Sequence, residues 1–332
     1  MRRAAGYASL ASIAVAVVLF ALQTPPLAAG SFADEIASLS EPEGAFDTDN
    51  LISNERSYQE VIPSLVAAGV SGGAYLGVGP DQNFSYIARV RPAVAYIIDI
   101  RRDNLLLHLL FKALFARAPD RLAYLALLTG RSPPTLPAAA GVEDIVRAIA
   151  DAPRAAEPAD LDATIRGFGV PLSPADVATI RRFHTAFVQR GLALQFNSHG
   201  RPPQSHYPTF RDLILATDRA GHPWHYLASD TDYQFVRQLQ ARDRIIPVVG
   251  DVSGPHALRA IGRAIAARGE RVSAFYISNV ESYLYRDGAY GRFMANLNVL
   301  PRDPRSVMIR SIFGGASSTS AVQSMDETLA GR

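Results

Sequence analysis

The sequence predicts an α/β fold, a doubly wound, mostly parallel sheet with a mainly helical insertion. Three observations lead there. Apolar, β-rich runs at 74–78, 93–99, 245–249, 272–277 and 306–311 alternate with helical patterns, as in a parallel sheet covered on both faces. The first run leads into a glycine turn, Gly77-Val78-Gly79-Pro80. The second ends on an acid, Asp99, twenty residues after Gly79. A glycine turn after one strand and an acid ending the next is how a Rossmann-like sheet holds a nucleoside. The glycines let backbone approach the ligand and the carboxylate accepts from ribose hydroxyls.

Taken in order, the chain opens with Met1-Arg2-Arg3, an apolar run at 10–22, and then Pro25, Pro26 and Ala28-Ala29-Gly30. A positive head, a short apolar run and a small-residue exit are the parts of a secretory signal. Residues 1–30 therefore read as a signal peptide that exports the body, periplasmic or secreted. The alternative is an uncleaved anchor in the inner membrane through residues 8–22, the only membrane contact the sequence suggests. The stretch 31–56 is polar, acidic and poorly patterned, and reads as a linker.

Residues 57–117 form the first part of the Rossmann-like domain. A helical pattern at 58–70 precedes the first strand, and a helix then starts near Asp81 and stops before Arg91-Pro92, since a residue before proline disfavours helix. The helix at 101–115 is apolar all round, with leucine at 105, 106, 107, 109, 110 and 114, so it belongs between the sheet and a further layer. Residues 118–225 read as the insertion, broken by prolines. Its clearest helix is 173–190, with Ser173 as N-cap, Asp176 three residues on, and Arg190-Gly191 at its close. The second part of the domain is 226–315, and 316–332 reads as a flexible tail. Pro247 cannot donate to a strand ladder, so it speaks against a strand at 245–249 unless that strand lies at an edge.

At 332 residues the chain can bury a large core. With 33 basic and 31 acidic residues it carries no strong nucleic-acid signature. The absence of cysteine excludes disulfides, zinc–thiolate sites, iron–sulfur clusters and cysteine nucleophiles. The implied partner is a small-molecule ligand.

Four strand ends carry polar residues. They are Gly77, Gly79, Asp81, Gln82 and Asn83; Asp99, Arg101 and Asp103; Gly250 and Asp251; and Ser278, Asn279 and Glu281. In a doubly wound sheet these loops converge on one rim, where ligands bind. Their order, and the strings GVGPDQNFSYIA, IIDIRRDN, VVGD and SNVESYL, resemble class I S-adenosylmethionine-dependent methyltransferases, and a bacterial group labelled methyltransferase-like by fold. The resemblance spans 57–313. It implies S-adenosylmethionine as cofactor, bound by Gly77, Gly79, Asp81, Asn83, Asp99, Asp251 and Ser278, with Asp251 toward adenine. It also implies methyl transfer to an acceptor that Asn279 and Glu281 orient or deprotonate.

The chain departs from that family where Tyr75 replaces an acid, Gln82 a third glycine, and Pro80 removes a backbone donor. Plainer readings stand beside each residue. The glycines serve a tight turn alone, Asp99 and Arg101 a structural ion pair, Asn279 and Glu281 the cap of a following helix. A second function therefore stays open, that of an exported or envelope-associated, non-catalytic protein binding a nucleoside-like or other small ligand.

The remaining candidates point elsewhere. His222-Pro-Trp-His225, with His199 and His206, does not put imidazoles on one helical face, so no metal site is expected. His108 reads as a core histidine. Ser205-His206 and Ser229-Asp230 are hydrolase residue types, but no Gly-x-Ser-x-Gly elbow accompanies them.

Overall fold

A computed structural model describes residues 31–331 apart from 49, 138, 158, 199–203 and 315–316. The expected export signal or anchor at 1–30 and His199 lie outside the described residues. Among those described, no helix is long and apolar enough to cross a membrane.

The strands are β1 (Ala74–Gly77), β2 (Val94–Asp99), β3 (Ile245–Val249), β4 (Val272–Ser278), β5 (Arg302–Gly314) and β6 (Ser317–Ser324). They form one sheet in the order β3-β2-β1-β4-β5-β6. The first five are parallel, and β6 runs antiparallel to β5. The fold is thus mixed α/β, as the alternating pattern predicts. Strands β1 to β3 are almost wholly buried, which is why their sequences are continuous apolar runs. Pro247 stands opposite Ile97 on β3, and β3 is an edge strand, where a missing donor on the outer side costs nothing.

The helices before and within the first half are α1 (Phe32–Leu39), α2 (Ile62–Ala67), α3 (Gln82–Val90) and α4 (Arg102–Arg117). The region expected as an insertion supplies α5 (Arg121–Thr129), α6 (Val142–Asp151), α7 (Asp162–Arg166), α8 (Pro174–Arg190) and α9 (Phe210–Leu215). The later helices are α10 (Asp230–Ala241), α11 (Ala257–Ala267), α12 (Val280–Arg286), α13 (Tyr290–Asn298) and α14 (Met325–Leu329). Ser173 and Asp176 form the expected reciprocal cap on α8. Helix α4 is buried on every side, between β2 and β3 on one hand and α5, α7 and α8 on the other.

Crossovers β1–β2–β3 run one way across the sheet, and the chain then returns to β4 and β5 on the other side of β1. Right-handed crossovers in opposite directions carry helices to opposite faces. Accordingly α3, α4 and α10 pack together, and α1, α11 and α13 form a second group. Strand order reverses between β1 and β4.

Two expectations are overturned. Residues 31–56 are no linker, because α1 buries Phe32, Ile36 and Leu39 against β3 and α11, and Leu51 and Ile52 enter the core. Burying such side chains contributes roughly 1.5–3 kcal/mol each, which outweighs the polarity between them. Nor is 316–332 a free tail. Its serine-rich start pairs with β5 from Val307 to Gly314, and Met325 is fully buried.

Candidate functional site

The turn after β1 is built around Asn83. This residue is wholly buried. Its amide donates to the carbonyls of Val78 (2.9 Å), Pro80 (2.8 Å) and Gly79 (3.3 Å), and its oxygen accepts from the Tyr75 hydroxyl at 2.8 Å. A side chain at Gly77 would overlap the Asn83 oxygen, so glycine there makes room for asparagine. Gly79 has φ +83, and its carbonyl is bonded to His108 Nε2 at 2.9 Å. Burial lowers the His108 pKa to about 4, so the ring is neutral and donates from Nε2 to that carbonyl. The two glycines therefore sit at the expected turn. Asn83, expected to bind cofactor, instead spends its amide on three inward-facing turn carbonyls, of which that of Gly79 is also held by His108.

Asp81 is a second correction. It is 4% exposed, and it accepts from the Tyr226 hydroxyl at 3.3 Å. Tyr226 in turn meets Tyr124 of α5, so the carboxyl faces the helical layer rather than the rim. Burial pushes its pKa up to about 7.

At the end of β2, Asp99 accepts three bonds from Arg101. The backbone N–H and Nε reach one oxygen at 2.9 and 3.0 Å, and Nη2 reaches the other at 2.8 Å. Asp99 stands at the rim, but as half of a bidentate ion pair. After β3, Asp251 accepts from the Ser253 backbone at 2.7 Å and its hydroxyl at 3.0 Å. Beside it opens a groove of about 500 Å³, lined in part by Ser253, Gly254, Arg259, Arg292 and Asn296.

Ser278 closes β4 in the left-handed region, at φ +54. A non-glycine residue held there is strained, and such strain gathers at sites that present a side chain. Its hydroxyl donates to Glu55. Asn279 follows, its oxygen 3.4 Å from Ser278 Oγ, and begins α12 without a side-chain cap bond. Glu281 is half of another ion pair. Arg310 Nε lies 2.8 Å from one oxygen, and Nη2 donates to the other at 3.0 Å. Burial raises the Glu281 pKa, and Arg310 opposes that shift. As an expected base, Glu281 is already committed to a cation.

Sequence reasoning missed the segment 40–55, which crosses these strand ends. Glu41 donates its N–H to Val249 O at 2.8 Å, and its carboxylate accepts from Ala257 N–H at 2.6 Å and His256 N–H at 3.3 Å. Gly44 N–H donates to Ile100 O at 2.8 Å. The Thr48 carbonyl accepts from Arg101 Nη1 at 2.9 Å. Asn50 Nδ2 lies 3.4 Å from where a side chain on Gly79 would begin. Glu55, 1% exposed, accepts from Tyr276 (2.7 Å), Ser278 and Ser311. Its burial raises its pKa despite those three hydroxyls. No local periodicity could reveal this, since each partner lies far along the chain.

The other candidates are accounted for. His225 is buried, and its Nδ1 accepts from Leu227 N–H at 3.1 Å, whereas His222 is exposed beside Asp218. No group of three or more His, Cys, Asp or Glu able to hold a metal occurs among the described residues. Ser205 and His206 lie exposed in a turn, and Ser229 caps α10.

The chain belongs to the family described as Domain of unknown function (DUF7790), whose profile matches residues 51–140 and 203–329. No curated protein matches it. The rim residues from Glu55 to Arg310 fall within the matched segments, while residues before 51 and the central part of the insertion fall outside.

Proposed function

We propose that this chain is methyltransferase-like, a Rossmann-type sheet that binds a nucleoside ligand across its strand-end rim. Methyl transfer from S-adenosylmethionine is the chemistry such a rim serves. The observation carrying the reading is the strand order 3-2-1-4-5, with its reversal beside β1, because ligands of doubly wound sheets sit at that reversal. Gly77, Gly79, Asp99, Asp251 and Ser278 flank it on successive strand ends. Asp99 would take the ribose diol by exchanging bonds with Arg101, and Asp251 would face the base beside the open groove.

A second reading is favoured by one contact. The pairing of Glu281 with Arg310 leaves no free carboxylate base after β4. This supports a non-catalytic protein, exported or envelope-associated, that binds a nucleoside-like or other small ligand and transfers nothing.

Calorimetric titration of the full chain with S-adenosylmethionine and S-adenosylhomocysteine tests the first reading. Binding that Asp99→Ala abolishes supports it, and no heat at millimolar ligand ends it. Methyl release with a panel of acceptors separates the two readings once binding is seen. A reporter fused after residue 35 tests export, and activity confined to the cytoplasm rules it out.

A further inference from the structure

We infer that residues 40–48 form a strap that lifts from the strand-end rim independently of the sheet and so controls access to the nucleoside site. The inference rests on the reading of that site given above.

The two ends of the strap are fixed. Helix α1 before it is anchored by Phe32, Ile36 and Leu39, and Leu51 and Ile52 after it are 6% and 0% exposed. Its middle is held differently. Pro42, Glu43, Ala45, Phe46 and Asp47 are exposed, and the backbone from 41 to 46 is neither helix nor strand. None of its described apolar side chains is buried between Glu41 and Asp47. Its described ties are mostly polar. Ser40 Oγ accepts from Val249 N–H, Glu41 bonds Val249 and the start of α11, Gly44 bonds Ile100, and Arg101 holds the Thr48 carbonyl. Phe46 meets the Tyr283 ring edge-on at 5.0 Å, and Thr48 bridges to Ser198. A segment with firm ends, few buried apolar side chains and mainly polar ties opens at lower free energy than the sheet beneath it.

Its position gives that opening a consequence. The strap passes from the end of β3, over Ile100 next to Asp99, to Thr48 at Arg101, and Asn50 lies beside Gly79. These are the strand ends the ligand would occupy. Arg101 couples the two, because one guanidinium nitrogen holds the Thr48 carbonyl while Nε and another nitrogen hold Asp99. A ribose that takes Asp99 competes with the guanidinium that ties the strap for the same carboxylate. The strap also precedes the family-matched segment, which begins at 51, whereas the rim it covers lies within it.

The chain has no cysteine, so a covalent lock can be placed without side reactions. A Cβ built on Gly44 lies 3.9 Å from Ile100 Cβ, inside the range of a disulfide. The isoleucine atoms it would crowd vanish in the double variant G44C/I100C. Hydrogen exchange is measured on the wild-type protein and on the variant oxidised and reduced, followed by titration of each with S-adenosylhomocysteine. In the wild type, the amides of Glu41 and Gly44 should exchange at least about a hundredfold faster than those of β2. The oxidised lock should slow them, and ligand association, at least about tenfold relative to the reduced form. Strap amides that exchange no faster than β2 overturn the inference without needing the variant. Equal ligand association in oxidised and reduced forms overturns control of access. Fast strap exchange with no ligand binding in any form upholds the lifting and removes the nucleoside reading instead.

Discussion

The hydroxyl of Tyr75 donates to the side-chain oxygen of Asn83 at 2.8 Å, and this bond explains why both residues depart from a ligand-binding role. Both side chains are fully buried. The partner of Tyr75 is the residue that stitches the turn carbonyls together. Asn83→Ala orphans the Tyr75 hydroxyl and the Val78 carbonyl, and leaves the Pro80 carbonyl only the long 3.5 Å bond from the residue-83 N–H. Each buried unsatisfied group costs about 1–3 kcal/mol, so the loss should be about 3 kcal/mol or more. Tyr75→Phe orphans one acceptor and should cost about 1–2 kcal/mol. Urea unfolding of both, and of the double variant, gives the coupling. Additive losses would mean that the pair does not act as a unit.

Gly77 is constrained by Asn83 and Tyr75. A Cβ at 77 would overlap the Asn83 oxygen and stand 2.9 Å from Tyr75 Cε1. Gly77→Ala should therefore destabilise by about 2–4 kcal/mol, as overpacking of a rigid core does. In an Asn83→Ala background most of that extra loss should disappear, because the obstructing atom is gone. Thermal midpoints of the four proteins of the cycle test this. An undiminished Gly77→Ala loss in the Asn83→Ala background would assign the glycine to another constraint.

The Glu281–Arg310 pair makes opposite demands on its two members. Side-chain exposures are 16% and 19%, so neither charge is well hydrated alone. Arg310→Met strands a carboxylate and should cost about 1–3 kcal/mol, below the loss for a fully buried pair because water still reaches the site. The double variant Glu281→Gln with Arg310→Met should recover much of it. Denaturant unfolding reports the cycle, and a single Arg310→Met variant as stable as the wild type would free Glu281 for the role of base.

Much of the sheet was legible because parallel strands buried on both faces read as apolar runs; Pro247, which spoke against its strand, is tolerated because β3 is an edge. The all-apolar helix α4 likewise announced a layer on its outer side. What was hidden depends on polar contacts made at long range. Glu55 looks like a solvated acid until Tyr276, Ser278 and Ser311 close around it, and Glu41 looks the same until it meets the start of α11. Strand β6 is serine-rich and is stabilised by its ladder to β5 rather than by its own side chains. At the rim, the residue types were readable and their partners were not. Asp99 was visible as a strand-end acid, but only the fold reveals that Arg101 bridges it to Thr48.

Asp81 makes stability depend on pH in a direction that runs against the buried histidines. Its folded pKa is raised by burial to about 7 from 3.8. Below the lower value both folded and unfolded chains carry the proton, and the group has no effect. Between the two values the folded chain holds a proton that the unfolded chain has released, so stability falls as pH rises through this window. Above about 7 the full penalty applies, on the order of a few kcal/mol. Glu55, also raised by burial, adds a slope of the same sign. His108 and His225, lowered to about 4 and about 3, contribute the reverse, with stability rising as pH climbs toward 6.5. The wild-type profile mixes these, so the informative quantity is its difference from Asp81→Asn, which keeps an acceptor for Tyr226 and removes the titration. Asp81→Asn should gain stability relative to wild type between pH 4 and 7, with a constant advantage above. Urea midpoints across that range measure it, and a difference independent of pH would place the Asp81 carboxyl in contact with water.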